Sequence, residues 1–410
     1  MRPINQVFKN TAMLFIFNIA KIIFPFVTLP YLTRTLSTDT YGSVAYIKTV
    51  MNYMQIIVDF GFVLSATKDI VNVKGDKEKL GLVIGDTMLA RIVMGIIGFV
   101  ILVILTLFIP ILRNNMLYTL LSYVVVFESI FLMDFLFRGI EKMHIITIRF
   151  VLMKIVSTIL TFILVKNDSN MILIPILDIL SSLLAIILVF YEIFKLKLKI
   201  RFSNLKNALK SLKDSFVYFL SNVASTSFNA LSTLIIGIKI SPTEVAYWSV
   251  CMQIIGSIQA CYSPISDGIY PEMIRTKNWN LIKKVIKVML PIVSIGCITC
   301  FCLSKFILNV LGGKEYLVAT HVFRLLIPSL FFSFFSFMFG WPSLGAIGKA
   351  KEVTTSTITS ILINVLLLIV LIVTDSFTLI NIAIVRSVVE LILCSFRFYF
   401  CKKNNKLFVT

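Results

Sequence analysis

KLKLKIRFSNLKNALKSLK, residues 195–213, is the longest polar segment of this 410-residue chain. It contains seven basic residues and is bordered on both sides by long apolar stretches. About six such stretches precede it and six follow it, each near the ~20 residues that a helix needs to cross the ~30 Å hydrocarbon core of a bilayer. The sequence therefore predicts an all-α polytopic membrane protein with about twelve transmembrane helices.

The composition of the chain is typical of a membrane protein. Hydrophobic residues make up 58% of it, charged residues make up 14%, and the mean hydropathy is +0.95. A soluble domain is nearer half apolar and a quarter charged. The predicted spans of the first half are 11–31, 42–64, 87–110, 116–137, 144–165 and 171–194. Those of the second half are 214–238, 245–271, 288–310, 321–346, 353–373 and 377–400.

Basic residues lie mostly in alternate loops between these spans. If the N-terminus is cytoplasmic, 25 of the 39 Lys and Arg residues lie on the cytoplasmic side. Five lie in the opposite loops, namely Arg34, Arg113, Lys166, Lys239 and Lys314. This is a positive-inside distribution, so we expect cytoplasmic N- and C-termini. The topology also accounts for the net charge of +19, so we expect no nucleic-acid partner.

The basic segment divides the chain into two halves of six spans. We predict an N-terminal six-helix lobe at 1–194, a cytoplasmic basic connector at 195–213 and a C-terminal six-helix lobe at 214–410. The connector is expected to lie on anionic lipid, with a merely solvated linker as the alternative.

The first span of each half carries a similar polar stripe. Residues at spacings of three and four share one face of a helix. In the first half the stripe consists of Asn18, Lys21, Pro25 and Thr28, and 204 residues later it consists of Asn222, Ser225, Asn229 and Ser232. A repeat in the same orientation predicts two lobes related by a pseudo-two-fold axis along the membrane normal, with the substrate between them.

The second span carries a polar stripe as well, formed by Lys48, Asn52, Gln55 and Asp59. An ionisable group at the centre of a bilayer costs ~3 kcal/mol on insertion scales, so such groups usually face a cavity. The predicted cavity residues are Lys21, Lys48, Asn18, Asn52, Gln55, Asn222 and Asn229. A cavity rich in cations suits an anionic substrate, most simply one that carries phosphate.

Each charged group in the spans has a second interpretation. Lys21 and Lys48 could be paired with Asp59 rather than face substrate. Asp59 is the best candidate for ion coupling, and a helix-end carboxylate in cytoplasmic water is the alternative. Two further expectations are that Arg386 and Glu390 neutralise each other four residues apart in one helix, and that Arg91, Arg149 and Arg397 snorkel to the interface.

Motifs for other chemistry are missing from the sequence. There is no GxxxxGK[ST] loop, so ATP hydrolysis is not expected. The seven cysteines and two histidines suggest no disulfide framework and no metal site, and Cys297, Cys300 and Cys302 are expected to pack as small apolar residues. The loops opposite the basic side are too short for an enzyme site. We therefore predict a protein that is not an enzyme and has no cofactor.

Several short motifs in the first half resemble those of a known family. They are PYLTRTLS at 30–37, YGSVA at 41–45, DFGF at 59–62, ATK at 66–68 and FRGIEKM at 137–143. Together they are similar to segments of the Wzx-type polysaccharide flippases, which belong to the multidrug/oligosaccharidyl-lipid/polysaccharide superfamily.

The second half continues the resemblance. VAYWS at 245–249 stands where the family usually has VGYYS, and YP follows at 270–271. Ala246 and Trp248 are mild departures from the family pattern, and Gln is commoner in the family than Arg138. The resemblance extends over the full length, including the twelve-helix count.

The resemblance implies a flippase of the bacterial cytoplasmic (inner) membrane. Its substrate would be an undecaprenyl-diphosphate-linked oligosaccharide repeat unit of O-antigen or capsule type, moved by alternating access. Its partners would be this lipid-linked oligosaccharide, membrane lipids, and the polysaccharide polymerase and chain-length machinery. The alternatives are a cation-coupled multidrug exporter of the same superfamily, an O-antigen polymerase or ligase, which needs a large periplasmic loop, and a structural scaffold of the export machinery.

Overall fold

The computed structural model describes residues 4–409, apart from the side chains of 4–9, 205–210, 221, 225, 228 and 229. This part of the chain is almost entirely helical. Its β-structure is limited to one isolated bridge between Asn278 and Val409. The predicted all-α class is confirmed.

Ten helices follow one another from the N-terminus to the middle of the chain. They are α1 (Ile4–Thr35), α2 (Thr38–Asp59), α3 (Phe62–Asn72), α4 (Lys77–Phe108), α5 (Pro110–Asn114), α6 (Met116–Glu128), α7 (Asp134–Gly139), α8 (Met143–Leu164), α9 (Leu173–Lys195) and α10 (Leu205–Lys239). Short 3₁₀ segments lie at Ser129–Leu132 and Asp168–Asn170.

Seven further helices complete the described chain. They are α11 (Pro242–Ala260), α12 (Ser263–Thr276), α13 (Trp279–Cys302), α14 (Ser304–Leu311), α15 (Thr320–Phe339), α16 (Ala350–Val373) and α17 (Leu379–Lys403). The 3₁₀ segments Lys314–Ala319 and Asn405–Leu407 and a π-helical turn at Gly340–Gly345 lie among and after them.

Ten segments of the described chain are long and apolar enough to cross a membrane. Each coincides with one of the twelve predicted spans, and the chain is a multi-pass membrane protein. The predicted span 214–238 lies in α10, some of whose side chains are outside the description. The predicted span 245–271 is divided between α11 and α12. The span predicted at 288–310 begins nine residues earlier, because Asn278 caps α13 by accepting a hydrogen bond from the N–H of Asn280.

Two compact units make up the chain. The first comprises the residues up to Thr226 together with Gly237–Thr243, and the second comprises Ser227–Ile236 and the residues from Glu244 onward. Helix α10 therefore contributes to both units. The lobe boundaries predicted above remain a prediction.

In the first unit, two helices are broken at the same end of the bundle. Phe60 and Gly61 have φ of +40° and +81° between α2 and α3, and Met133 has φ of +49° before α7. Helices α3 and α7 pack together, where Gly139 lies against Ile70 and the hydroxyl of Thr67 donates to the carbonyl of Phe135 at 3.2 Å. These breaks redirect the ends of two spans around a shared apolar core.

The predicted connector begins with an extended segment, residues 198–204, which we call the strap. Its Arg201 donates its backbone N–H to the carbonyl of Gly81 in α4 at 3.1 Å. Arg201 also pairs with Glu78 at 3.0 Å, and Ser203 bonds both carboxylate oxygens of Asp86. Leu198 and Ile200 pack on the core of the first unit. The strap thus lies against the first turns of α4 before α10 begins at Leu205.

In the second unit, α15 occupies the centre and packs against α13, α14 and α17, while α16 packs against α17. Helices α10 and α11 are joined by a hydrogen bond from the indole N–H of Trp248 to the hydroxyl of Thr233 at 3.1 Å. Trp279 at the start of α13 contacts Phe339 and Phe408.

Candidate functional site

The predicted cavity residues of the first unit lie on two antiparallel helices, α1 and α2. A turn at 36–37 joins these helices, so residues equally far from it in sequence lie at similar depth. Lys21 is thereby level with Asn52, about 23 Å along the helix from the turn. Asn18 is level with Gln55. Sequence spacing alone thus gives the depth of this polar group within the bundle.

Lys21 lies near the middle of the first candidate span and is exposed. Its ammonium is 4.4 Å from the centre of the Phe17 ring, within cation–π distance. The charges that act on it most are Arg138 and Asp59. A second cation, Arg138 of the FRGIEKM motif, therefore lies near Lys21, and the sequence analysis had not assigned it to the site.

Lys48 lies at the middle of α2 and is exposed as well. Its charged neighbours are Asp178 and Lys154, which come from α9 and α8. Asp178 accepts a hydrogen bond from Ser157 at 2.6 Å and pairs with Lys154 at 3.7 Å. Charged groups from two other helices therefore lie near Lys48. A lysine beside such groups fits a polar space rather than lipid.

The remaining predicted cavity residues differ in how they are held. Asn18 and Asn52 are exposed, and Gln55 is half-buried and donates from its amide to the hydroxyl of Ser129 at 2.8 Å. Asn222 is half-buried, and the side chain of Asn229 lies outside the described residues. By their distance from the turn at 36–37, Asn18, Asn52 and Gln55 lie at a depth similar to that of Lys21 on α1 and α2.

Asp59 forms an ion pair with Arg91 of α4. Arg91 also donates to the carbonyl of Ile130 in the segment that breaks the fourth span, at 3.3 Å. The alternative interpretation, in which Asp59 pairs with Lys21 or Lys48, is wrong. The ion-pair partner of the Asp59 carboxylate is the guanidinium of Arg91.

The expectation that three arginines snorkel is also wrong. Arg91 and Arg149 are each 4% exposed, and Arg149 pairs with Asp134 at the start of α7. Arg397 turns inward, donating to the carbonyl of Ser336 at 2.6 Å and to the hydroxyl of Thr357 at 3.0 Å. Ion pairs and hydrogen bonds of this kind lower the free-energy cost of burying a guanidinium. Hydropathy alone does not take these partners into account.

Some charged residues in the spans of the first unit have an ion-pair partner and others do not. Asp59, Asp134 and Asp178 each have a basic partner on another helix. Glu128 is buried and forms no ion pair with a described residue. Lys21 and Lys48, near the middle of their spans, have no carboxylate at ion-pairing distance among the described residues, and neither has Arg138 at the end of the fourth span. Cations in such positions can attract an anionic group.

The second unit contains a buried ion pair within a single helix. Arg386 and Glu390 pair at 3.5 Å in one helix, as expected, and both are almost completely buried. Asn364 and Ser360 of α16, which packs against α17, are buried as well.

Solved structures of membrane transporters share this fold. A lipid II flippase, MurJ, in its inward closed conformation matches with a TM-score of 0.74 and 16% identity, over 96% of this chain and 87% of that one. An inward-facing multidrug resistance transporter of the MATE family and MOP superfamily matches with a TM-score of 0.70 and 16% identity, over 96% and 94%. At this identity the likeness shows a shared fold and nothing more.

Two proteins related by sequence and one family model indicate the family to which this chain belongs. A protein of Escherichia coli (strain K12) named "Putative O-antigen transporter" is 26% identical over 417 residues, covering 98% of each chain. A Shigella dysenteriae protein of the same name is 25% identical over 279 residues, covering 68% of this chain and 70% of that one. The family described as polysaccharide biosynthesis protein matches residues 7–277. The chain belongs to this family, and the resemblance seen in the motifs is confirmed at that level.

Proposed function

We propose that this protein is a flippase for oligosaccharide repeat units of O-antigen or capsule type, linked to undecaprenyl diphosphate. Alternating access would carry each unit across the bacterial cytoplasmic membrane, and the short loops opposite the basic side leave no room for a catalytic domain. Family membership and the names of the relatives support the class of substrate. The observation that carries the mechanism is that Lys21 and Lys48 lie near the middle of their spans without an ion-pair partner among the described residues, with Arg138 close to Lys21.

The two lysines carry charge opposite to that of a diphosphate, and they lie at a depth that the diphosphate must cross. Lys21 and Lys48 lie near the middle of spans α1 and α2, where the diphosphate of a lipid-linked substrate must pass on its way between leaflets. Lys154 and Asp178 already neutralise each other beside Lys48, so Lys48 keeps its charge for a ligand. Asn18, Asn52, Gln55, Asn222 and Asn229 would serve as polar partners for phosphate and sugar oxygens.

The orientation follows from the basic loops. With 25 basic residues on one side and five on the other, both termini would be cytoplasmic. The lipid-linked unit would then enter from the cytoplasmic leaflet and be handed to a polymerase and its chain-length machinery on the outer side.

Coupling would run through Asp59. Its carboxylate shares an ion pair with Arg91, so protonation or cation binding at Asp59 would release Arg91 and change how α2 is held against α4. Asp59→Asn should then make exchange of the lipid-linked substrate insensitive to collapse of the ion gradients while substrate binding persists. Exchange in the wild type that ignores both the proton and the sodium gradient would instead leave removal of product as the driving force.

Replacing the two lysines tests the cationic site. In a flippase-deficient strain, Lys21→Ala and Lys48→Ala should abolish export of surface polysaccharide, because each removes an unpaired charge that attracts diphosphate. Lys→Arg at either position should retain part of the activity. The measurements are surface polysaccharide, lipid-linked intermediate trapped on the cytoplasmic leaflet, and protein abundance in the membrane.

Lys305→Ala is the matched control, since Lys305 is an exposed lysine of α14 in the second unit. It should export normally. Normal surface polysaccharide from both alanine variants would rule out the site. Restored drug efflux without restored polysaccharide would favour the multidrug exporter, whose fold this chain shares.

A further inference from the structure

A polar cavity of about 320 Å³ opens in the first unit on the side opposite the basic loops. It lies where α2 begins, beside α5 and the turn between α10 and α11. Its polar lining consists of Asp39, Thr40, Ser43, Asn114 and Asn115, and proline and isoleucine side chains form the rest. The cavity is separate from Lys21 and Lys48.

Several polar groups of the lining have no partner. Within the described chain, no hydrogen bond or ion pair engages the carboxylate of Asp39, the hydroxyl of Ser43 or the amide of Asn114. Asn115 donates its amide to the carbonyl of Ile111 at 3.0 Å, which leaves its side-chain oxygen as an acceptor. The cavity thus presents both donors and acceptors to a ligand.

The lining selects the chemistry of that ligand. No Lys or Arg lines the cavity, so it offers nothing to phosphate. A lone carboxylate is too few for a metal, and the described residues contain no group of three or more metal ligands. Sugar hydroxyls both donate and accept, while the C–H face of a sugar ring suits proline and isoleucine. A volume near the lower end of ligand pockets, ~300–1,000 Å³, suits one ring or two.

The wall of the cavity is fixed by a close contact. A Cβ added to Gly237 would lie 2.1 Å from the ring of Tyr46, which is fully buried. Only a glycine lets the end of α10 approach α2 this closely. The cavity is therefore a defined part of the first unit rather than an accident of loose loops.

We propose that this cavity binds a sugar residue of the transported oligosaccharide; the inference rests on the flippase function proposed above. Ser43 and Asp39 lie five and nine residues from Lys48 along α2, which is about 8 and 14 Å of helix. Those distances fit a diphosphate held by Lys48 and the first sugars held nearer the outer side. The cationic residues would recognise the shared diphosphate, and the cavity would recognise the sugar.

The test titrates two halves of the substrate into purified protein by calorimetry. One probe is inorganic pyrophosphate, and the other is the oligosaccharide that mild acid releases from the lipid-linked intermediate of the host strain by cleaving its glycosyl diphosphate bond. Asn114→Ala and Asp39→Asn should each weaken oligosaccharide binding about tenfold while pyrophosphate binding is unchanged. Lys48→Ala should do the reverse. Every titration uses the full chain, and both cavity residues are exposed, so folding should be unaffected.

Asn167→Ala is the control, because Asn167 is exposed at the same end of the first unit but outside the cavity. Three results would overturn the proposal: no oligosaccharide binding by the wild type, binding unaffected by both cavity variants, or equal loss in the control. Binding that depends on the cavity in a protein that fails to flip lipid-linked substrate would remove the proposed function and leave the sugar site standing.

Discussion

Three aspartates in the spans of the first unit are each held by a basic side chain from a different helix. Asp59 and Arg91 link α2 to α4, and Lys154 and Asp178 link α8 to α9. Arg91 is buried, whereas Asp59, Lys154 and Asp178 are partly buried. Such a pair contributes little net stability while intact, because desolvation offsets the attraction. Loss of one partner is costly, because the other charge is left without compensation.

Arg91→Ala should therefore destabilise the protein strongly. We expect the free energy of unfolding to fall by about 3–5 kcal/mol, because Asp59 loses its partner and the carbonyl of Ile130 loses a donor. Replacing both partners with apolar residues, as in Asp59→Leu with Arg91→Met, should recover part of the loss. Denaturant unfolding of purified protein in detergent measures all three variants.

Arg275 provides the comparison, since its pair with Glu272 at 2.8 Å is exposed. Arg275→Ala should cost less than about 1 kcal/mol. If Arg91→Ala were no more destabilising than Arg275→Ala, the buried pair would not be a structural element of the first unit.

Depth along a helix and pairing within one helix, as for Arg386 and Glu390, could be predicted from the sequence, whereas pairing between helices could not. Spacings of three and four placed Lys21, Lys48 and their polar neighbours on α1 and α2 at membrane depth. The partner of Asp59 lies 32 residues away on another helix, and no local pattern distinguishes Arg91 from a residue that snorkels. For the same reason Arg138 could not be assigned to the site from the sequence, because its position near Lys21 depends on how the helices pack.

At the scale of elements, two glycines of α4 explain how the strap is held. A Cβ on Gly81 would lie 2.1 Å from the carbonyl oxygen of Lys199, and one on Gly85 would lie 2.0 Å from that of Arg201. Backbone in the strap therefore touches backbone in the helix. Glycine inside a helix costs roughly 1 kcal/mol relative to alanine, and here the close approach offsets that cost.

Gly81→Ala and Gly85→Ala should each release the strap from α4. The added methyl group meets a backbone oxygen, which cannot move aside as a flexible side chain could. We expect faster tryptic cleavage after Lys197, Lys199 and Arg201, together with a lower midpoint of thermal unfolding. Time-resolved proteolysis with mass spectrometry identifies the cleavage sites.

Gly296→Ala serves as the matched control, since Gly296 is a glycine of helix α13 with no atom within 4 Å of an added Cβ. It should leave cleavage of the strap unchanged and be neutral or slightly stabilising. Equal cleavage in the Gly81 and Gly296 variants would contradict the packing of the strap.

Element boundaries were predictable where hydropathy changes sharply, and less so elsewhere. The span predicted at 353–373 matches α16 closely. The start of α13 was missed, because hydropathy does not recognise the basic, amphipathic first turns of this helix at residues 279–287. The extended strap was missed, because its alternation of Lys with Leu and Ile is short. Tertiary contacts with α4, rather than local preference, decide its conformation.

For the whole molecule, the distribution of basic residues gives a prediction of orientation that each loop can test. A reporter enzyme that is active only in the periplasm should be inactive when fused after Lys213 and active when fused after Asn170. The physical reason is that loops rich in Lys and Arg stay on the cytoplasmic side during insertion.

Fusions after Asn115 and after Lys142 extend the test to both kinds of loop, with activity expected only for the first. Activity after Lys213 would reverse the orientation, and with it the direction in which Lys48 and the cavity beside Asp39 meet the substrate.

The strap has a consequence for biogenesis. Its residues leave the ribosome after α4 has been made and before most of the second unit exists, and domains generally fold in that order during synthesis. The nascent chain can therefore hold together the ends of its first six spans beside the strap while translation continues. Insertion of α11 to α17 would then take place beside a first unit that is already closed.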